Sequence, residues 1–494
     1  MLNNYPEPQS PPSDSTHGKA LGIDDFREVG RGCFNASIRT SQAMIWFGDA
    51  LIVGTGRRPL GFLGRYAARN KFATDREGSE IGFVGRVEEQ GKDGAQVWRF
   101  DPYKLDWSLV YESPLGVGRD GKERARDRSI RASTVFQGPS DDHPCLYLGV
   151  GSLERQVVIL RSPDGINYAE CTEKGLGLSG DADVPSLRCL CSHGGRVYTS
   201  PTGKNLDRGM LDDNLTDFPM IFATNDPWRG HWEMVSEPGF GDPTNLSVNE
   251  IASFNGYLYA ATLNPQHGFQ VWKTDARGAS PYRWKKIIDC GAWRGPASSV
   301  PASLFAYRNA LYLGSGIQRQ GRDGHDRYGP FPGELIRIHP DDSWDLVVGD
   351  TRPTPHGLKR PISGLAAGFG DLFTHAFWRM SEYDGYLYLG TSDWRFLPTY
   401  LRNRDELSPA CLAYLKSETE KYIKGSFSLW CSADGIRWHP VTRTGFGGNP
   451  NNYGIRELTS SPVGLFVAPT ATQPRTGGGG LEIWWGNKKN VKII

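Results

Sequence analysis

One short pattern recurs seven times along the chain, and it leaves few folds open. Each copy is an apolar run containing Leu-Tyr-x-Gly-Thr or a close variant. The copies are DALIVGTG (from Asp49), PCLYLGVG (from Pro144), GRVYTSPTG (from Gly195), NGYLYAATLN (from Asn255), NALYLGSG (from Asn309), DGYLYLGTSD (from Asp384) and VGLFVAPTA (from Val463). The Gly, Asn or Asp ahead of each copy supplies a hairpin turn, and the side-chain alternation suits paired strands. A third strand follows each copy: QVWRFD at Gln96, VVILRS at Val157, MIFATN at Met220, QVWKTD at Gln270, ELIRIH at Glu334, SLWCSAD at Ser428 and EIWWG at Glu482. In most units a turn and an aromatic residue then open a fourth strand, at Trp107, Tyr168, Trp232, Trp284, Trp344 and Trp438. Four strands per unit, recurring about every 50 residues plus insertions, specify an all-β, seven-bladed β-propeller with four-stranded blades.

After EIWWG the seventh unit has no fourth strand of its own. Other units end in segments such as WEMVSEPGFGDPTN (from Trp232) and WHPVTRTGFGGNPNN (from Trp438), and FREVGRGCFNAS, from Phe26, has the same shape. Residues 26–29 are therefore expected to complete the last blade and remove the open sheet edges of the ring. The Pro/Ser-rich segment 1–23 reads as a disordered lead-in. Residues 24–488 read as one propeller domain with insertions at about 57–94, 318–333 and 394–424.

Composition narrows the partners. The chain carries 56 basic and 55 acidic residues, without the basic excess of a nucleic-acid or membrane-surface binder. No apolar stretch approaches the roughly 20 residues of a membrane span, and the polar N-terminus has no signal-peptide core. The eight cysteines form no CxxC pair or Cys/His cluster, as expected of free thiols in a cytoplasmic protein. No metal or cofactor is expected, and the sequence leaves the oligomeric state open.

In a propeller of this strand order, residues at the start of strand one and the end of strand two converge on one mouth of the central channel. Aligning the first strands makes Gln42, Arg131, Arg188, Asn249, Ala302, Trp378 and Arg456 equivalent. Next along come Glu250, Arg379 and Glu457; three residues earlier come Arg39, Arg128, Leu246, His375 and Tyr453. The strand-two exits add Arg57, Asn205, Asn264, His267, Gln318 and Asp393. Two readings stand. Paired charges can hold the blades in register, or the set forms a polar pocket with a positive bias for a carboxylate, phenolate or other anion. In the second, Arg131, Arg188, Arg456, Arg379, Asn249, Glu250 and His267 bind substrate. Asp393 is then the candidate general base, Tyr453 the donor of a hydrogen bond or proton, and His375 their catalytic companion. The three insertions would roof this mouth as a lid.

Two turns, SPDGINY from Ser162 and SADGIRW from Ser432, resemble the Asp-box of sialidase-like propellers, which implies structural turns. The text GFGDPTN…NGYLYAATLNP…GFQVWKTD is similar to a family of bacterial seven-bladed propellers. In repeat style, across roughly residues 26–486, the chain also resembles the propeller half of cylindrocyclophane-type alkylating enzymes. That resemblance implies joining an alkyl halide to a resorcinol ring carbon, although the calcium-binding domain of that family has no counterpart here. The function expected is thus an enzyme acting on a small, anionic or phenolic substrate, by C–C bond-forming alkylation, cyclisation or elimination. The alternative is a non-catalytic propeller that binds a protein or glycan.

Overall fold

A computed structural model describes residues 18–488 apart from 31–33, 35–37, 57–93, 118–120, 122, 153–155, 179–181, 183, 207–209, 213, 318–330, 396–408, 410–411, 414–426, 448, 450 and 472–479. The fold is all-β and propeller-like. Four-stranded antiparallel sheets follow one another along the chain. Their first strands are Thr40–Phe47, Asp127–Phe136, Ser186–His193, Ser247–Phe254, Val300–Tyr307, Thr374–Tyr383 and Asn452–Ser461. Their second strands are Ala50–Gly56, Cys145–Ser152, Arg196–Thr202, Tyr257–Leu263, Ala310–Gly316, Tyr386–Asp393 and Gly464–Ala471. Third strands start at Gln96, Val158, Phe222, Gln270, Leu335, Leu429 and Trp484, and fourth strands at Asp106, Ala169, Glu233, Lys285, Trp344 and His439. Each first strand packs against that of the next sheet, and Thr40–Phe47 packs against both Asp127–Phe136 and Asn452–Ser461.

The last sheet takes its fourth strand from Phe26–Glu28, which pairs antiparallel with Trp484–Gly486. Val29 extends the contact: its N–H donates to the Ile483 carbonyl at 2.8 Å, and its own carbonyl accepts from Trp107 Nε1 at 2.7 Å. Residues 18–23, assigned from the sequence to a disordered lead-in, are part of the packed structure. Leu21 is buried and its N–H donates to the Tyr388 hydroxyl at 2.8 Å. The signal missed was an apolar pair, Ala20 and Leu21, placed just ahead of the closing strand.

The repeated motifs have separable physical jobs. The second strands are buried on both faces, so their text is almost continuously apolar. The small residue after Leu-Tyr-x lets the next sheet come close. A Cβ on Gly314 would lie 2.3 Å from the Phe377 carbonyl oxygen, and one on Gly390 would lie 2.6 Å from Ile455 Cβ. Gly314→Ala is therefore expected to cost about 1–3 kcal/mol through overpacking between sheets, read as a lowered denaturant midpoint with an unchanged m-value.

The third-strand motif is a local hydrogen bond. The residue two places before Trp accepts from its indole: Gln96 from Trp98 at 3.0 Å, Gln270 from Trp272 at 3.1 Å, Ser428 from Trp430 at 2.9 Å and Glu482 from Trp484 at 3.1 Å. The Gly-Phe-Gly links then plug the next sheet. Phe240 stacks on Trp272 at 4.9 Å and meets Trp284 edge-on at 5.0 Å, while Phe369 stacks on Trp430 at 4.0 Å. Both phenylalanines are in the left-handed region, at φ 56° and 58°. Phe34, from the N-terminal segment read as equivalent, meets the corresponding Trp98 and Trp107, both edge-on, at 5.5 and 5.0 Å.

Three two-stranded ribbons were not anticipated: Leu115–Val117 with Glu123–Ala125, Lys204–Leu206 with Met210–Asp212, and Arg352–Thr354 with Gly357–Lys359. The insertions at 57–94, 318–333 and 394–424 lie almost wholly outside the described residues, as do Arg57 and Gln318. The lid expected of them is outside with them.

Candidate functional site

The site is built by a defect that recurs in every first strand. Pairing with the second strand slips between Ser41 and Ala43, Ile130 and Ala132, Leu187 and Leu190, Val248 and Glu250, Pro301 and Ser303, Phe377 and Arg379, and Ile455 and Glu457. The residues skipped are Gln42, Arg131, Arg188 with Cys189, Asn249, Ala302, Trp378 and Arg456. These are the seven positions made equivalent by the sequence alignment. A β-bulge bends its strand and re-aims a side chain that the ladder would otherwise send into the sheet interface. Three units carry a second bulge three residues earlier, which skips Arg128, His375 and Tyr453.

At the bulges the charges form one cluster. Arg379 Nη1 donates to Glu250 Oε1 at 3.3 Å, and Arg379 Nη2 lies 3.5 Å from Glu457 Oε1. Its Nε donates to the Arg456 carbonyl at 3.0 Å. Burial works against the Arg379 charge, but Glu457 and Glu250 more than offset it and hold its pKa up. Burial raises the Glu250 carboxyl above the usual range, against the pull of Arg379, Arg188 and Arg456.

Among the described residues, two arginines of the cluster have no carboxylate within ion-pair distance. Arg188 donates to neutral oxygens, from Nε to the Asn249 carbonyl at 3.2 Å and from Nη1 to Asn214 Oδ1 at 3.2 Å. Arg456 is 7% exposed, and its guanidinium lies 5.2 Å from the Trp378 ring centroid. Among the described residues it meets no carboxylate within ion-pair distance. Burial, then the neighbouring arginines, lowers both guanidinium pKa values to about 10. Arg131 adds a further positive charge acting on Arg188. In such a setting a charge without a counterion is costly. Asn249 is buried and ties this unit to the next, from Nδ2 to the Pro301 carbonyl at 3.0 Å.

The three residues assigned catalytic roles are arranged differently. Asp393 is buried and held by Arg395, through its N–H at 2.8 Å and through Nη2 at 2.7 Å; the same guanidinium also binds Asp371. Burial raises the Asp393 carboxyl to about 7 despite Arg395. It lines a cavity of about 50 Å³ with Asp371, Thr374, Ser428 and Arg443, room for water rather than an organic substrate. His375 donates from Nδ1 to the Ser392 carbonyl at 3.2 Å and packs on Trp394, and burial lowers its pKa to about 3. It therefore stays neutral near pH 7. Tyr453 is buried with its pKa raised by burial, and its ring lies 6.0 Å from that of Trp378. Asp393 and His375 thus engage partners outside the arginine cluster, while Tyr453 borders it.

His267 is exposed on a turn closed by Asn264 Oδ1, which accepts its N–H at 2.9 Å. It stands apart from the cluster. Asn264 is likewise spent, donating to Thr244 and Asn245; the side chain of Asn205 is outside the described residues. Sequence reasoning missed Asn214, which lies in a stretch without repeat register. It also missed Arg395, although the spacing Asp-Trp-Arg at 393–395 was there to read. Among the described residues no three His, Cys, Asp or Glu side chains are grouped to hold a metal, and no helix is long and apolar enough to cross a membrane.

No protein-family model matches the chain, and no curated protein does; the likeness to the alkylating enzymes gains no support there. Among solved structures the chain is similar to an ancestral GH74 enzyme, with a TM-score of 0.48 and 10% identity over 92% of this chain and 48% of that one. It is similar to the GH74 xyloglucanase from Xanthomonas campestris, with a TM-score of 0.42 and 13% identity over 94% of this chain and 56% of that one. A puromycin hydrolase aligns with a TM-score of 0.35 and 10% identity over 87% of this chain and 58% of that one. The chain spans about half the length of these proteins.

Proposed function

We propose that the chain is a closed ring of seven blades whose axial arginines bind a small organic anion. What carries this reading is Arg456: a buried guanidinium with an aromatic face beneath it and no carboxylate to neutralise it among the described residues. Arg188, hydrogen-bonded to neutral oxygens alone among the described residues, supports it. A ligand carboxylate would supply the missing acceptor through charge-assisted, bidentate hydrogen bonds.

The bound anion is then a substrate, and Glu250 is the group best placed to take a proton from it. Its carboxylate belongs to the same cluster, and burial raises its proton affinity. Asp393, clamped by Arg395, suits that role less well. Alkylation, cyclisation and elimination each need such a proton acceptor.

Titration calorimetry with benzoate tests the binding step. Benzoate is expected to bind with a single-site isotherm, and Arg456→Gln to weaken it by about tenfold or more. Equal affinity in a folded Arg456→Gln variant would sink the reading. The pH dependence has a defined sign. Protonating Glu250 removes a negative charge from the cluster, so binding tightens as pH falls through its raised pKa, until benzoate itself becomes neutral.

A further inference from the structure

We infer that the anion taken by this site is a dicarboxylate, held end to end between Arg188 and Arg456. The inference rests on the proposed ring and anion site, and adds the number and spacing of the ligand's charges. Arg188 is the bulge residue of the third unit and Arg456 that of the seventh. In a ring of seven, these units are three steps apart one way and four the other, so the two guanidiniums approach from opposite walls.

The channel is narrow at this level. From the sixth unit, Arg379 reaches Glu250 of the fourth, passing the fifth, whose own bulge residue is Ala302. Arg379 is then tied between two glutamates and closes the floor. Arg188 and Arg456 then remain as the two cationic poles with no glutamate within ion-pair distance among the described residues. A single phosphate or monocarboxylate satisfies one pole and leaves the other uncompensated. Two carboxylates separated by a short chain satisfy both, each with the planar fork-to-fork geometry that arginine favours.

The test compares succinate, butyrate and inorganic phosphate by titration calorimetry on the full chain. Succinate is expected to bind at one site at least about tenfold more tightly than butyrate or phosphate. In Arg188→Gln and in Arg456→Gln, each checked for folding by circular dichroism, the preference for succinate over butyrate should fall to near unity. Lysine at either position keeps the charge and is expected to retain part of the preference, which separates lost charge from lost packing. Butyrate or phosphate binding as tightly as succinate overturns the two-pole assignment and leaves the anion site standing. Binding of none of the three overturns both.

Discussion

A chain beginning at Gly30 is expected to lose cooperative folding at ambient temperature, whereas a chain beginning at Gly18 keeps it. The shorter chain lacks Phe26–Glu28, and with it the fourth strand of the last sheet. It loses the Phe26 ring, stacked on Phe446 at 4.6 Å, and the Arg27 guanidinium over Trp485 at 4.4 Å. It also loses Val29, which joins Ile483 to Trp107 of the first sheet. Burying a Phe is worth about 2–3 kcal/mol and each ladder hydrogen bond about 1 kcal/mol net. The combined loss is several kcal/mol, against a typical total of about 5–15 kcal/mol. The exposed Trp484–Gly486 edge becomes a template for pairing with other chains. Thermal unfolding by circular dichroism should show a broad transition well below that of the longer chain, with aggregates in size-exclusion chromatography. A peptide of residues 18–30 added in trans should restore part of the loss. A sharp transition at the same temperature without residues 18–29 would mean that the strand decorates the last sheet and closes nothing.

That prediction could be drawn from text alone because the fourth-strand and link motifs recur. FREVGRGCF and WEMVSEPGF share a strand followed by an aromatic plug, and both phenylalanines meet the third- and fourth-strand tryptophans of the next sheet. The same regularity explains why the alignment picked out the seven positions that prove to be bulges. Leu-Tyr-x-Gly-Thr fixes the second strand, a short turn fixes the first strand against it, and counting back reaches the slip in all seven units. Distance along a hairpin is conserved by geometry, so alignment works there.

Other features obey no such period. The ribbon Arg352–Thr354 with Gly357–Lys359 has three residues a side, too short for alternation to register. The role of Asp393 depends on Arg395, and that of His375 on Trp394. The place of each in its hairpin was legible, but the partner that neutralises or buries each one depends on side-chain direction. Burial then sets their proton affinities in opposite directions, raising the carboxyl and lowering the imidazole.

Arg379→Met is expected to lower stability by about 3–5 kcal/mol at about pH 8, the range for breaking a buried ion pair by removing one partner. The substitution keeps much of the side-chain volume and removes the guanidinium that Glu250 and Glu457 share. With Arg379 gone, burial holds the Glu250 carboxyl in the folded state still further above its unfolded value of about 4.3. Between the unfolded and folded pKa values the native state then holds more protons than the unfolded state, so stability falls as pH rises through that window. The penalty should therefore shrink as pH falls towards about 4 and reach its full size above the folded pKa. Urea denaturation at several pH values measures this slope. The neutral triple variant Glu250→Gln, Arg379→Met, Glu457→Gln should recover most of the loss, because no charge is stranded. The comparison also divides the two readings of the axial charges. Arg379 is the arginine that the glutamates hold, so its loss should be felt in stability at every ligand concentration. Arg456 lacks that support among the described residues, so its replacement by Gln should leave stability nearly unchanged or raise it, and be felt in anion binding. If both variants lose stability equally and anion affinity does not change, the arginines hold the sheets in register and the channel has no ligand of this kind.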